Sequence, residues 1–129
     1  MTPAPMRILR SDPGEAVVLF PLSADYPGFL GHFPGDPVLP GMCHVLLCCE
    51  AADRLLHGRF ELGEVRRARF RRKVRPGEEL GIRLRWKPLE DGTLEVRTVH
   101  TVGDEEAAEL HLMLRGSARA DAGPQPGGS

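Results

Sequence analysis

The residue of this 129-residue chain best placed for general-base work is His32, in the segment GHFPGDPVLPG (Gly31–Gly41). An imidazole suits that task because its ordinary pKa lies near operating pH. Pro34, Pro37 and Pro40 hold the loop to few conformations. The loop runs into MCHVLLCC (Met42–Cys49), an almost wholly apolar stretch read as a helix with Pro40 suited to its first position. The first amides of such a helix, near Gly41, have no intrahelical acceptor and can hold a developing negative charge. One stretch therefore supplies a base and an oxyanion site. The plainer alternative for His32 is a loop histidine whose ring nitrogens fix the backbone.

The elements that must position these groups follow from hydrophobic period and turn chemistry. Met6–Arg10 reads as a short strand after a loose N-terminal end over residues 1–5, with a turn at Ser11–Gly14. Glu15–Leu22 is an apolar strand in which Pro21 marks an edge or an end. The helix spans about Pro40 to His57 and stops at Gly58. Four strands follow: Val65–Val74, Leu80–Leu89, Thr93–Val102 and Ala107–Gly116, separated by Pro76-Gly77, Asp91-Gly92 and Gly103-Asp104. Residues 118–129, rich in Pro and Gly, read as a disordered tail, leaving one domain over residues 1–117. One long apolar helix with consecutive antiparallel strands gives an α+β domain, the helix wrapped by the sheet.

GHFPGDPVLPG resembles the active-site loop of the FabA/FabZ-type 3-hydroxyacyl-[acyl carrier protein] dehydratases, and ARFRRKVRPGEEL (Ala68–Leu80) resembles that family's second strand-and-turn motif. The likeness covers roughly residues 15–117. It implies the hotdog fold, a dimer, and removal of water from carrier-bound 3-hydroxyacyl thioesters in fatty-acid or polyketide synthesis. It also implies His32 as the base that takes the Cα proton and the Gly41 amide as the donor to the enolate-like oxygen. No metal or nucleotide cofactor is needed for such an elimination.

The third requirement is an acid for the departing hydroxyl, and here the chain departs from the family. The family's Glu or Asp lies five residues after Gly41, at Leu46, and leucine cannot donate a proton. Glu50 is the first acidic residue on the helix, one turn or about 5.4 Å further along. Three readings of Glu50 stay open: a relocated acid, a polar residue of the helix interior, or an ion pair with Arg54 at i+4. His44 is a further donor if charged, although burial favours the neutral, packed form. In the family, the His of one subunit faces the acid of the other. A chain with His32 and Leu46 is therefore suited to a heterodimer whose second hotdog subunit brings the acid.

Glu64–Arg75 carries seven cationic residues, which read either as a solvated strand or as a docking patch (Arg69, Arg71, Arg72, Lys73) for an acidic acyl carrier protein. A net charge of −1 and 5% aromatic residues argue against nucleic acid. Cys43, Cys48 and Cys49 match no zinc spacing and read as reduced, packed thiols. No apolar run reaches membrane-spanning length and the first residues lack a signal core, so the expected location is the cytoplasm, with no membrane partner. The rival functions are a hotdog thioesterase or isomerase, and a non-catalytic subunit that binds carrier or stabilises a catalytic partner.

Overall fold

The computed structural model describes residues 4–29 and 35–118. Alternation is plain in β2 (Glu15–Pro21), where Ala16, Val18 and Phe20 are wholly buried and the residues between them are not. The same period shapes β4 (Glu79–Pro88), β5 (Thr93–Val102) and β6 (Glu105–Ala118), whose inward Leu80, Ile82, Leu84, Val96, Leu112 and Leu114 build the core. With β1 (Arg7–Asp12) and β3 (Gly58–Phe70) they form one antiparallel six-stranded sheet in the order β1-β2-β4-β5-β6-β3. Pro21 closes β2 opposite Glu79, at a strand end where its missing N–H costs least.

The helix α1 (Gly41–Leu56) lies on the inner face of this sheet. Its sixteen residues span about 24 Å, and Val45, Leu47, Cys48, Cys49, Ala51 and Ala52 turn inward. Small Cys and Ala side chains along that stripe let the helix approach the sheet closely. Among the described residues no helix is long and apolar enough to cross a membrane.

Several boundaries differ from the sequence reading: β1 runs on through Asp12, into the expected turn, and β6 spans Glu105–Ala118 in place of Ala107–Gly116. Pro40 precedes the helix in extended conformation, and Gly41 is the first helical residue. At the other end His57, not Gly58, takes the left-handed turn (φ 51°), its N–H bonding to Asp53 O. Asp53 also accepts the Phe60 N–H at 2.7 Å. These two bonds turn the chain in one residue, so β3 starts at Gly58, seven residues before the expected Val65. Two irregularities, between Leu62 and Glu64 and between Val65 and Arg67, break the alternation that would have shown it. β3 then ends at Phe70, because the Arg71 and Arg72 amides both turn onto Ala107 O and leave the ladder. Ala4, expected in a loose end, is buried, and its N–H bonds to Glu50 Oε1 at 3.0 Å. Ala118 pairs with Gly58 in β6; the rest of the expected tail, 119–129, lies outside the described residues.

Both β1 and β3 are edges. Four large apolar residues of α1 and β3 are 40–55% exposed: Met42 and Leu46, one turn apart on α1, and Val65 and Phe70 on β3. Adjacent leucines thus have opposite environments. Leu47→Ala should cost about 2–5 kcal/mol in urea unfolding because it opens a cavity in a fully buried site. Leu46→Ala should cost the isolated chain less than about 1 kcal/mol, and equal losses would show that the helix is seated differently.

Candidate active site

The start of α1 is held by the chain on both sides of it. Leu39 N–H donates to Val74 O at 2.8 Å, and Asp36 pairs with Arg75 at 3.5 Å, tying the loop's second half to the segment after β3. Cys43 N–H bonds to Pro40 O, closing the first turn. The Gly41 N–H has no acceptor among the described residues, as expected for a helix start. A Cβ there would sit 2.9 Å from Cζ of Phe70, so any larger residue would have to displace that ring, which lies across the helix terminus. His32 falls within residues 30–34, outside the described residues.

Behind Phe70 is a buried polar chain. His44 packs on the Phe70 ring with centroids 5.3 Å apart. Its Nδ1 is 2.9 Å from Nδ1 of His100 on β5, and His100 Nε2 is 2.9 Å from Thr98 Oγ1 and 3.4 Å from Cys48 Sγ. Cys48 Sγ is 3.6 Å from Thr98 Oγ1. Only one of two facing Nδ1 atoms can carry a proton, so the tautomers of the two rings are linked. One direction runs Cys48 S–H to Thr98 Oγ1, Thr98 O–H to His100 Nε2, and His100 Nδ1–H to His44 Nδ1, and gives the thiol an acceptor. The reverse leaves the buried Cys48 S–H without an acceptor. On this assignment the remaining proton sits on Nε2 of a neutral His44. Burial pushes His44 down to about 4, and burial with His44 beside it pushes His100 down to about 3. Burial likewise pushes the Cys48 thiol up to about 12, far from a nucleophile.

The structure leaves Leu46 half-exposed on α1. Glu50 is otherwise engaged: besides the Ala4 N–H it meets Arg54 Nη2 at 3.3 Å, and the same guanidinium bonds to Ala4 O. The basic segment divides. Arg72, partly buried, is clamped between Glu78 (2.8 Å) and Glu105 (3.0 Å), and Arg71 meets Glu106 (2.7 Å) and Glu109 (3.6 Å). Lys73 is exposed past the end of β3, whereas Arg69 points to the outer face of the sheet, opposite Glu109. The three cysteines are free thiols. His100, Thr98 and Phe70 were not singled out from the sequence. Two polar residues at inward positions of the alternating strand Thr93–Val102 are the signal that points to the first two.

An antiparallel six-stranded sheet with one central helix is the hotdog architecture. The family model for the ApeI dehydratase matches residues 9–109. Curated relatives are 3-hydroxyacyl-[acyl-carrier-protein] dehydratases FabZ. That of Pelotomaculum thermopropionicum is 40% identical over 120 residues, covering 84% of this chain and 83% of its own. That of Deinococcus radiodurans is 32% identical over 114 residues, covering 84% and 79%. Among solved structures, the dehydratase heterocomplex ApeI:P of Xenorhabdus doucetiae superposes with a TM-score of 0.73 at 22% identity, covering 88% of this chain and 99% of that one. The PaaI protein of Escherichia coli superposes with a TM-score of 0.65 at 17% identity, covering 85% and 82%. The chain belongs to the ApeI-like dehydratase family.

The buried imidazoles make stability depend on pH. Both are neutral in the fold but charge in the unfolded chain below about 6.5, so the unfolded state binds more protons and stability falls as pH drops from about 6.5 toward 4. Urea unfolding should show a loss on the order of 2–4 kcal/mol between pH 7 and pH 5. The His44→Gln, His100→Gln double variant should show a clearly flatter profile. An equally steep profile in that variant would place the titrating groups elsewhere.

Proposed function

We propose that this chain is a 3-hydroxyacyl-thioester dehydratase subunit that completes its site with a second hotdog chain. His32 takes the Cα proton, the carbonyl oxygen's developing charge rests on the Gly41 N–H, and the β-hydroxyl leaves as water with a proton from an acid. Leu46 carries the reading. It holds the position of the family's acid, is half-exposed, and cannot give a proton. Glu50 is held by Ala4 and Arg54, which leaves the acid to come from across the β3 edge. The apolar strip of Met42, Leu46, Val65 and Phe70 offers the partner a surface to bury. A paired-subunit arrangement has a parallel in the Xenorhabdus heterocomplex. The substrate is carried as a thioester on acyl carrier protein, in fatty-acid or polyketide synthesis, with Arg69 and Lys73 of the basic segment free to meet the carrier.

The same Leu46 also suits a second role, a subunit that supports a catalytic partner without catalysing. Assay of the chain alone, and with a homologous chain carrying Glu or Asp at the position of Leu46, separates the two. Alone, dehydration should be about 10²–10⁴-fold slower than in the pair, the usual worth of general acid catalysis. In the pair, His32→Ala should abolish the turnover this chain supports, and Glu50→Gln should change little. Leu46→Glu should raise the rate of the chain alone. Full activity of the pair with His32→Ala would leave the supporting role; loss of the lone chain's activity in Glu50→Gln would make Glu50 the acid.

A further inference from the structure

The sheet is longer than the helix that covers it. α1 ends at Leu56, where His57 turns the chain, but the inward positions of the sheet continue past that point. Pro88 faces Leu94 across β4 and β5, Leu94 faces Leu114 on β6, and in the next row Gly116 faces Phe60 on β3. Beyond the helix end these positions enclose an open cavity of about 300 Å³. Leu94 and Gly116 form its floor, Trp86, Pro88 and Leu89 one wall, and Leu56 and Phe60 the other. Gly116 has φ 143°, and a Cβ on it would collide with Arg59 O, so the floor beside Phe60 carries no side chain.

The lining decides what can bind there. No charged side chain contributes to it, and its backbone and hydroxyl groups are hydrogen-bonded within the chain. Leu89 N–H donates to Thr93 O at 2.9 Å, Gly92 N–H to Leu89 O at 3.1 Å, and Thr93 O–H to Asp91 at 2.6 Å. The backbone N–H of Trp86 goes to Gly14 O at 3.0 Å. Its indole N–H has no acceptor among the described residues, and Trp86 is half-buried, so this donor is open to a ligand. Two features at the mouth disfavour an anion. The Thr93 O–H and N–H hold the Asp91 carboxyl below the usual carboxylate range and so ionised, and the last carbonyls of α1 bring the negative end of the helix dipole. Arg115, opposite Thr93 in the ladder, lies instead against Gly63.

We propose that this cavity binds a neutral, flat, apolar molecule about the size of two fused aromatic rings and bearing one hydrogen-bond acceptor. An apolar cavity of about 150 Å³ holds benzene, so twice that volume suits a bicyclic group. The flat shape follows from Trp86 and Phe60, neither of which stacks on another aromatic ring among the described residues. The acceptor meets the indole N–H. Neutrality follows from the lining, where an ionised group would lose its water and gain no partner. The cavity lies at the opposite end of the sixteen-residue α1, about 24 Å from the Gly41 amide, so it is separate from the candidate active site. The proposal stands independently of the dehydratase reading.

Trp86 is the chain's one tryptophan, so its indole N–H gives a single signal in a proton–nitrogen correlation spectrum. Titrating the full chain with 2-naphthol should shift that signal saturably, with a Kd below about 1 mM for a ligand of this size. 2-Naphthoate, the same rings with a carboxylate, should bind at least about tenfold more weakly. Leu89→Arg places a charge in one wall and should weaken naphthol binding at least about tenfold. If circular dichroism shows that this variant is disturbed, Leu56→Gln is read by the same criteria. A signal that stays in place, as it would if another segment or a second copy of the chain covers the cavity, overturns the site. So does binding that the folded variants leave intact. Naphthoate binding as tightly as naphthol overturns the ligand class.

Discussion

The contact on which this structure depends is the hydrogen-bonded junction between α1 and β5. A helix buried on a sheet through small and branched apolar groups has little to fix its rotation or its slide, because dispersion contacts are individually weak and non-directional. The His44–His100 bond, continued through Thr98 and Cys48, is directional and lies in a place water does not reach. Leaving any member unpaired there would cost about 1–3 kcal/mol, so the alternatives in which α1 shifts by a fraction of a turn are penalised. Gly41 is three residues from His44, and its amide is aimed by that same junction. Phe70, lying on both, transmits the position of β3 to the helix start.

The dependence runs the other way as well. Two imidazoles kept neutral in the interior are a standing cost when the unfolded chain can charge them. That cost is accepted where the helix register matters most, one turn from the glycine amide. At its far end α1 is held differently, by Glu50 and Arg54 gripping the backbone of Ala4 and by Asp53 accepting from Phe60.

Much of the fold was legible because the sequence is consistent from level to level. Alternation in Glu15–Pro21, Glu79–Pro88 and Thr93–Val102, with glycines at positive φ at Gly77, Gly92 and Gly103, places those strands within a residue or two. β3 was misread at both ends because its irregularities scramble the inward positions and because ELGE carries no strand signature. The departure of Arg71 and Arg72 from the ladder depends on Ala107 O, a partner far along the chain that no local pattern reveals. That the helix begins close to Gly41, and that position 46 carries a leucine, could be read directly. The engagement of Glu50 by Ala4 could not, since it joins residues 46 apart. The outer-face arginines Arg69, Arg83 and Arg97 belong to three strands and become neighbours only through register. The sequence reading kept Arg69 with Arg71, Arg72 and Lys73, whereas the sheet sets it in a row with Arg83.

The open edge of β3 has a consequence for the life of the chain before it meets any substrate. Thirteen residues of strand with one side unpaired, flanked by exposed Phe70, Leu46 and Met42, form a template for unwanted strand addition. Arginines spaced along the strand lower that risk by repulsion without closing the edge. A chain whose edge stays uncovered is therefore prone to self-association and exposed to chaperones and proteases. Covering that edge then becomes a requirement of the fold itself, independent of the chemistry the chain performs.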